Sequence, residues 1–303
     1  MAAIEEDILS TPDILRRTYE RVAARKDTLG VPFGGPVALL GCGSSYCVAL
    51  AAAAAYEREQ AAPAQAIVAS DYRPRPDWTH IAISRTGRTT ELVRAMERAR
   101  AAGAPVLLLG GEEDSPAARV ADAVLPLEFA AEQGVIQTRF VSASIVALNT
   151  LLRAGKAEDR AWGLPDRVAQ GLAALDPTPL LRFDHVVFLG RGSSYGLARA
   201  AAVNLQETAL LVPEAHQTLD YRHGPIAAAD ANTLVWCLDA PGDAENEAVL
   251  DDVRGAGATV YTASDDPLVA LAQAQLVALH KARTRGLDTA APRNLARAVI
   301  LAR

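Results

Sequence analysis

The chain has 303 residues, of which 50% are hydrophobic and 5% aromatic, with a formal net charge of −6. The negative charge and the lack of a basic run argue against a nucleic-acid-binding surface. The longest apolar stretch, around CVALAAAAAY, is shorter than the ~20 residues that span a bilayer. The acidic N-terminus has no apolar signal segment, and the three cysteines have no metal or disulfide spacing. We therefore predict a cytoplasmic protein with no membrane partner.

The first half alternates short apolar strands with helices. A helix is predicted after the sequence STP, with Thr11 as its cap and Pro12 at the first helical position. Strands are predicted at residues 37–43, 65–70, 80–84, 106–111 and 123–127. Helices are predicted at residues 46–60, 89–102 and 139–153. This alternation is typical of a parallel sheet covered by helices on both faces.

The second half repeats the pattern. Residues 154–180 are polar, contain Gly and Pro, and predict a linker that includes a helix. Strands follow at 185–190, 233–238 and 259–264, and helices at 195–210, 244–255 and 267–283. The sequence LGCGSSY at 40–46 returns as LGRGSSY at 189–195. We predict an α/β chain of two tandem doubly wound parallel-sheet domains, each a flavodoxin-like αβα sandwich, at residues 1–165 and 166–303.

Each repeated junction joins a strand to a helix. Gly43 and Gly192 permit a sharp exit from the strand, and the serines that follow, such as Ser44 and Ser45, offer hydroxyl and N–H donors at a helix N-terminus. Helix N-termini at the carboxyl edge of a parallel sheet attract anionic ligands. The alternative is that the serines only cap their helices.

The loop SRTGRTT, residues 84–90, carries four hydroxyls and two arginines after a predicted strand. Hydroxyl, N–H and cationic donors together suit a dianionic phosphate. The Gly-Lys pattern of nucleotide-binding P-loops and the dinucleotide signature are both missing. The alternative is a polar turn capped by Thr89. The matching edge of the second half, DAPGD at 239–243, is acidic, so we predict one phosphate pocket, in the first half.

Two further residues could move protons. Glu207 shares a helical face with Ala200, Val203 and Leu210. A carboxyl among apolar side chains has a raised pKa and suits proton transfer near neutral pH. The alternative is a solvated helix end. His223, in DYRHGP, could shuttle a proton, although a single loop histidine is weak evidence by itself.

In order along the chain, the motifs LGCGSSY, ISRTGRTT, EQGVIQTR, LGRGSSY, NLQE, DYRHGP and PRNLAR resemble the SIS (sugar isomerase) domain family. Within that family the chain looks like the isomerase part of glucosamine-6-phosphate synthases, without their glutaminase domain. The resemblance implies a homodimer that acts on a phosphorylated sugar and needs no cofactor or metal. The motifs imply a phosphate site formed by Ser45, Ser84, Arg85, Thr86 and Thr89.

The resemblance also implies roles for other residues. Glu207 matches the isomerising carboxylate, and His223 matches a ring-opening histidine that comes from the neighbouring subunit. Further substrate contacts are implied for Ser44, Gln137 and Asn204. The synthases have lysines at the positions of Asn204 and Arg297 and a serine at that of Gln137. Because a guanidinium cannot form the Schiff base that an amine forms, the chain more closely resembles stand-alone phosphosugar isomerases and deaminases.

The hypothesis is aldose–ketose isomerisation of a hexose or amino-sugar 6-phosphate, with possible loss of the amine. Glu207 would move the proton between C1 and C2, His223 would act across the dimer, and Arg297 or Arg139 would stabilise the oxyanion. The alternative is a non-catalytic phosphosugar sensor. No helix-turn-helix pattern supports it, and a sensor would not need Glu207.

Overall fold

The computed structural model describes residues 3–152, 163–262 and 266–302. The first half contains two N-terminal helices followed by five parallel strands in the order β2-β1-β3-β4-β5. Its elements are α1 (Ala3–Leu9), α2 (Thr11–Arg25), β1 (Val37–Gly41), α3 (Ser44–Gln60), β2 (Ala64–Val68), β3 (Thr79–Ser84), α4 (Thr90–Ala101), β4 (Val106–Gly110), α5 (Pro116–Val120), β5 (Ala123–Leu125) and α6 (Arg139–Leu152).

The second half has a parallel sheet in the order β7-β6-β8-β9. Its elements are α7 (Leu164–Ala174), β6 (His185–Gly190), α8 (Ser193–Ala209), β7 (Glu214–Gln217), β8 (Thr233–Cys237), α9 (Ala244–Gly255), β9 (Thr259–Thr262) and α10 (Pro267–Thr284). The order matches β2-β1-β3-β4, so the prediction of two parallel-sheet α/β units is confirmed. The boundary predicted between residues 165 and 166 falls in the first turn of α7 and stays a prediction.

Three local expectations need correction or restriction. Thr11 is the first residue of α2 and Ser10 holds the cap position, so Pro12 is the second helical residue.

Helix α1 and strand β7 were not predicted from the sequence. Strand β7 reads EAHQ and lies at a sheet edge, where half-buried polar side chains replace the apolar run. Residues 154–162 of the linker predicted at 154–180 and residues 263–264 of the strand predicted at 259–264 lie outside the described residues, and the described part of the linker contains helix α7.

The glycines of each junction have distinct roles. Gly43 and Gly192 have φ values of 54° and 56°, a region that favours glycine. A Cβ on Gly41 would lie 2.5 Å from the backbone of Ser45, and one on Gly190 would lie 2.4 Å from that of Ser194. The G-x-G pattern therefore gives both the turn and the close approach of helix to strand.

The two halves share one apolar core. Helix α3 of the first half packs against α8 of the second, and side chains from both belong to the same buried cluster. Contact is closest at Gly196, where a Cβ would lie 2.4 Å from the backbone nitrogen of Ala51. This crossing brings α8 against the junction of the first half. No helix in the described part of the chain is long and apolar enough to cross a membrane.

Candidate active site

A small cavity of about 40 Å³ lies at the carboxyl ends of β1 and β3. This volume has room for about three water molecules, which is the scale of a phosphate group. Seven of the predicted site residues line it, together with Cys42, Ile83 and Leu92. The seven are Ser45, Ser84, Arg85, Thr86, Thr89, Gln137 and Arg297.

The loop between β3 and α4 arranges its hydroxyls around this cavity. Ser84 Oγ accepts a hydrogen bond from the N–H of Gly87 (2.9 Å), and Thr86 Oγ1 accepts one from the N–H of Arg88 (3.2 Å). Because both oxygens act as acceptors, each hydroxyl hydrogen is left to donate to an anion. Thr89 is at the cap position of α4 but makes no capping hydrogen bond. A simple capped turn therefore does not describe this loop.

The serines of the first junction differ in placement. Gly43 holds the cap position of α3, so Ser44 and Ser45 are its first two residues and neither caps it. Both are buried, but only Ser45 lines the cavity. The structure thus brings Ser45, and not Ser44, to the predicted phosphate site.

Arg85 is buried and already uses most of its donors. Its Nη1 pairs with a carboxylate oxygen of Glu132 (3.2 Å), and its Nη2 donates to the carbonyl oxygen of Val135 (2.8 Å). Its Nε–H is buried and has no hydrogen-bond partner among the described residues. Arg85 therefore holds the segment around residues 132–135 against the phosphate loop, and only Nε–H remains for a ligand.

Glu132 was not singled out from the sequence. Its side chain is buried, and besides Arg85 it accepts hydrogen bonds from the N–H groups of Thr138 (2.7 Å) and Phe140 (2.9 Å). It thereby fixes the turn that leads into α6. A buried arginine requires an acidic partner, but the sequence does not show which acid, 47 residues away, takes that role.

Glu207 lies near the end of α8, on the face turned to the first half. Burial raises the pKa of its carboxyl to about 7, and the positive charge of Arg85 opposes that rise. Burial raises the pKa of the Cys47 thiol of α3 to about 11, and the charge of the nearby Glu207 adds to that rise. The predicted rise in the pKa of Glu207 agrees with this buried environment. The alternative, a solvated helix end, does not agree with it.

Gln137 and Asn204 meet between the halves. Asn204 Nδ2 donates to the backbone carbonyl oxygen of Gln137 (3.2 Å), and Asn204 is buried on α8 one turn before Glu207. Gln137 itself lines the cavity. The contact connects the proton-transfer helix of the second half to the cavity of the first.

The C-terminal segment crosses the mouth of the site. Arg297 lines the cavity and donates to the carbonyl oxygen of Gln133 (2.8 Å). Further along, the carbonyl oxygen of Val299 accepts from the N–H of Thr90 (3.1 Å), at the start of α4. Arg139, the other candidate for oxyanion stabilisation, pairs with Asp7 (3.1 Å) and does not line the cavity. Of the two candidates the structure thus places Arg297 at the cavity, and the role of either residue in oxyanion stabilisation stays a prediction.

His223 lies apart from these residues within one chain. It is exposed and borders a separate cavity of about 320 Å³ with Arg191, Gln217, Leu219 and Asp220. Its position does not bring it to the phosphate cavity of its own chain. The expectation that it acts across a dimer stays a prediction.

The second half closes its own version of the phosphate site. Strand pairing matches Leu40 with Ala82 and the equivalent Leu189 with Cys237, so Asp239 corresponds to Ser84. The Asp239 carboxylate accepts from the N–H of Arg191 (2.9 Å) and from Thr218 Oγ1 (2.6 Å). The hydrogen-bond donors at this strand end are thus already paired with the Asp239 carboxylate, as the acidic sequence DAPGD indicated.

Two parallel-sheet α/β units, with a hydroxyl-rich cavity at the first of two repeated strand-to-helix junctions, define the class of fold. Residues 36–154 and 180–290 match the SIS domain, so the chain belongs to the SIS domain family.

Individual relatives agree with this assignment. The chain is 29% identical over 360 residues to a glutamine–fructose-6-phosphate aminotransferase (isomerizing) of Xylella fastidiosa, covering 98% of this chain and 58% of that protein. It is similar to the structure of a glucosamine-6-phosphate deaminase from Thermotoga maritima, with 26% identity, a TM-score of 0.85 and coverage of 99% of this chain and 100% of the other. The fold of a tagatose-6-phosphate ketose/aldose isomerase from Escherichia coli is also similar, with 18% identity, a TM-score of 0.83 and coverage of 100% and 96%.

Proposed function

We propose that the chain is a sugar-phosphate isomerase that acts on a hexose 6-phosphate or an amino-sugar 6-phosphate, with release of the amine where the substrate carries one. The observation that carries this proposal is Glu207: a half-buried carboxyl with a pKa of about 7 lies close enough to Arg85, a residue of the cavity wall, to feel its charge. A group with this pKa is ionised enough to remove a proton at neutral pH and protonated enough to return it. The relatives named above act on the same class of compound, which supports the proposal.

In the proposed mechanism, the hydroxyls of Ser45, Ser84, Thr86 and Thr89 hold the phosphate. Glu207 removes the proton from C2 of the open-chain sugar and delivers it to C1 through an enediol or enolamine. Arg297 donates to the sugar oxygen on which negative charge develops. Proton transfer next to a carbonyl requires an anchor for the substrate, a base and a donor to the oxyanion. In this proposal, side chains of one chain fill all three roles.

We further propose a homodimer in which His223 of the partner subunit assists opening of the sugar ring. What supports this is the exposure of His223 on its own chain and its distance in the fold from the phosphate cavity. Because the chain spans 58% of the length of the curated relatives, the transfer of nitrogen from glutamine that their name implies is not part of the proposal.

The test is proton exchange. The protein is incubated in D2O with glucose, fructose and glucosamine 6-phosphates, and deuterium at C1 and C2 and free ammonia are measured. Exchange is expected with at least one compound, and Glu207→Gln should abolish it while the phosphosugar still binds. Binding of phosphosugars without exchange in the wild-type protein would contradict the proposal and indicate a sensor.

A further inference from the structure

Two buried carboxamide oxygens at the contact between α8 and the first half have no hydrogen-bond partner among the described residues: Oε1 of Gln137 and Oδ1 of Asn204. Asn204 is only 3% exposed. Its Nδ2 donates to the backbone carbonyl of Gln137, so its oxygen must point the other way. Leaving a buried acceptor without a donor is unfavourable, and each such atom in a native protein calls for an explanation.

Both residues adjoin the cavity. Gln137 lines the phosphate cavity, and Asn204 touches Gln137. Asn204 and Glu207 are three residues apart on α8, so they share a helix face. The helix face beside Gln137 therefore carries Asn204 and Glu207, so that three groups able to accept hydrogen bonds, two amide oxygens and a carboxylate, belong to this contact region.

A set of acceptors fits one kind of substituent best. An ammonium group has three N–H donors and no acceptor, whereas a hydroxyl has one donor and a ketone carbonyl has none. A site built to accept from N–H groups discriminates strongly against an analogue that lacks them, because its buried acceptors then stay unpaired.

We propose that Gln137 and Asn204 form an acceptor pair that selects sugar 6-phosphates with an amino group at C2 over those with a hydroxyl or carbonyl there. This inference rests on the proposed function. It assigns a specificity-determining role to two of the three positions at which the sequence is expected to depart from the synthases it resembles.

The proposal fits a balanced reaction. Glu207 removes the C2 proton of the open-chain amino aldose, and the resulting enolamine is protonated at C1, which leaves an iminium at C2. Water adds to C2, and the C–N bond breaks as nitrogen leaves with its electron pair. Amino-aldose phosphate and water thus give ketose phosphate and ammonia, with no external oxidant or reductant. The ketone product has no donor at C2, so the acceptor pair favours its release.

The experiment uses two unreactive probes that differ only at C2: 2-amino-2-deoxyglucitol 6-phosphate and glucitol 6-phosphate. Neither has a carbonyl, so neither turns over during calorimetric titration of the full chain at pH 7. We expect the amino compound to bind the wild-type protein at least about tenfold more tightly. Asn204→Leu and Gln137→Met, which keep side-chain volume but remove an acceptor, should each bring the affinity ratio toward one.

The matched control is Gln273→Leu. Gln273 is also a buried amide with an unpartnered oxygen, but it donates to the carbonyl oxygen of Gly171, away from the cavity. This variant should leave the affinity ratio unchanged. Equal binding of the two probes by the wild-type protein, or an unchanged ratio in a folded Asn204→Leu or Gln137→Met protein, would overturn the acceptor pair but leave the proposed function intact. If neither probe binds and no sugar phosphate exchanges deuterium, the proposed function and this inference both fail.

Discussion

At the residue scale, Thr86 tests the phosphate loop directly. Its hydroxyl accepts from the N–H of Arg88 and retains a hydrogen for phosphate. A hydrogen bond to a charged group contributes about 1.5–3 kcal/mol, so Thr86→Val should weaken phosphosugar binding roughly tenfold or more. Titration calorimetry measures the change in phosphosugar affinity. Thr284→Val is the control, because the Thr284 hydroxyl donates to the backbone carbonyl oxygen of Lys281 at the end of α10. Unchanged affinity in the folded Thr86 variant would remove the loop from the site.

Glu207 predicts a pH dependence of stability. Its pKa rises from 4.5 to about 7 on folding, so the native state binds this proton more tightly than the unfolded chain does. The contribution of Glu207 to the free energy of unfolding is therefore greatest below pH 4.5 and is lost as pH rises toward 7. Glu207→Gln should be more stable than the wild type by roughly 3 kcal/mol at pH 8, with little difference at pH 4.5.

Denaturant unfolding at both pH values measures this difference. Glu20→Gln, an exposed position on α2, is the control and should show no comparable dependence. A Glu207→Gln effect of equal size at both pH values would show that its cause is packing rather than the cost of ionising a buried carboxyl.

At the scale of elements, the C-terminal segment places a guanidinium where a lysine would permit an imine. A guanidinium is not a nucleophile, so the open sugar should be held by hydrogen bonds alone. Borohydride added during turnover of fructose 6-phosphate should leave no mass adduct on the protein, and Arg297→Lys should begin to show one. Of the lysines at 26, 156 and 281, the buried Lys281 pairs with Asp184 (2.6 Å). A stoichiometric adduct on the wild-type protein would contradict non-covalent enolisation.

Elements with strong local patterns could be predicted from the sequence. Strands such as β4 are continuous apolar runs, and the phosphate loop concentrates hydroxyls at a strand end. Strand β7 has no such run and was missed because it forms only by pairing with β6. The bonds between Arg85 and Glu132 and between Asn204 and Gln137 join residues 47 and 67 positions apart. Tertiary packing determines which residues form such pairs, and no local sequence pattern predicts them.

At the scale of the whole molecule, the proposed dimer makes a complementation prediction. Glu207→Gln and His223→Ala proteins should each be nearly inactive alone. If His223 of the partner subunit serves each site, a mixed dimer has one site that lacks both groups and one that is intact. Mixing should then restore activity, up to about half per mixed dimer. Subunit exchange is verified by native mass spectrometry, and no recovery after verified exchange would show that His223 does not act across the dimer.

The buried carboxylate of Asp239 keeps the second strand end closed to phosphate. The first half carries the hydroxyls proposed to anchor phosphate, and the second half supplies α8 with Glu207, the proposed base. Two copies of the first half would hold substrate without a base, and two copies of the second would have a base with nothing to act on. In the proposed mechanism, the two halves therefore depend on each other. An ancestral single unit that bound and converted substrate by itself would have needed both the anchoring hydroxyls and the base in one copy. A chimera that exchanges one half between relatives must therefore keep the contact between α8 and the cavity.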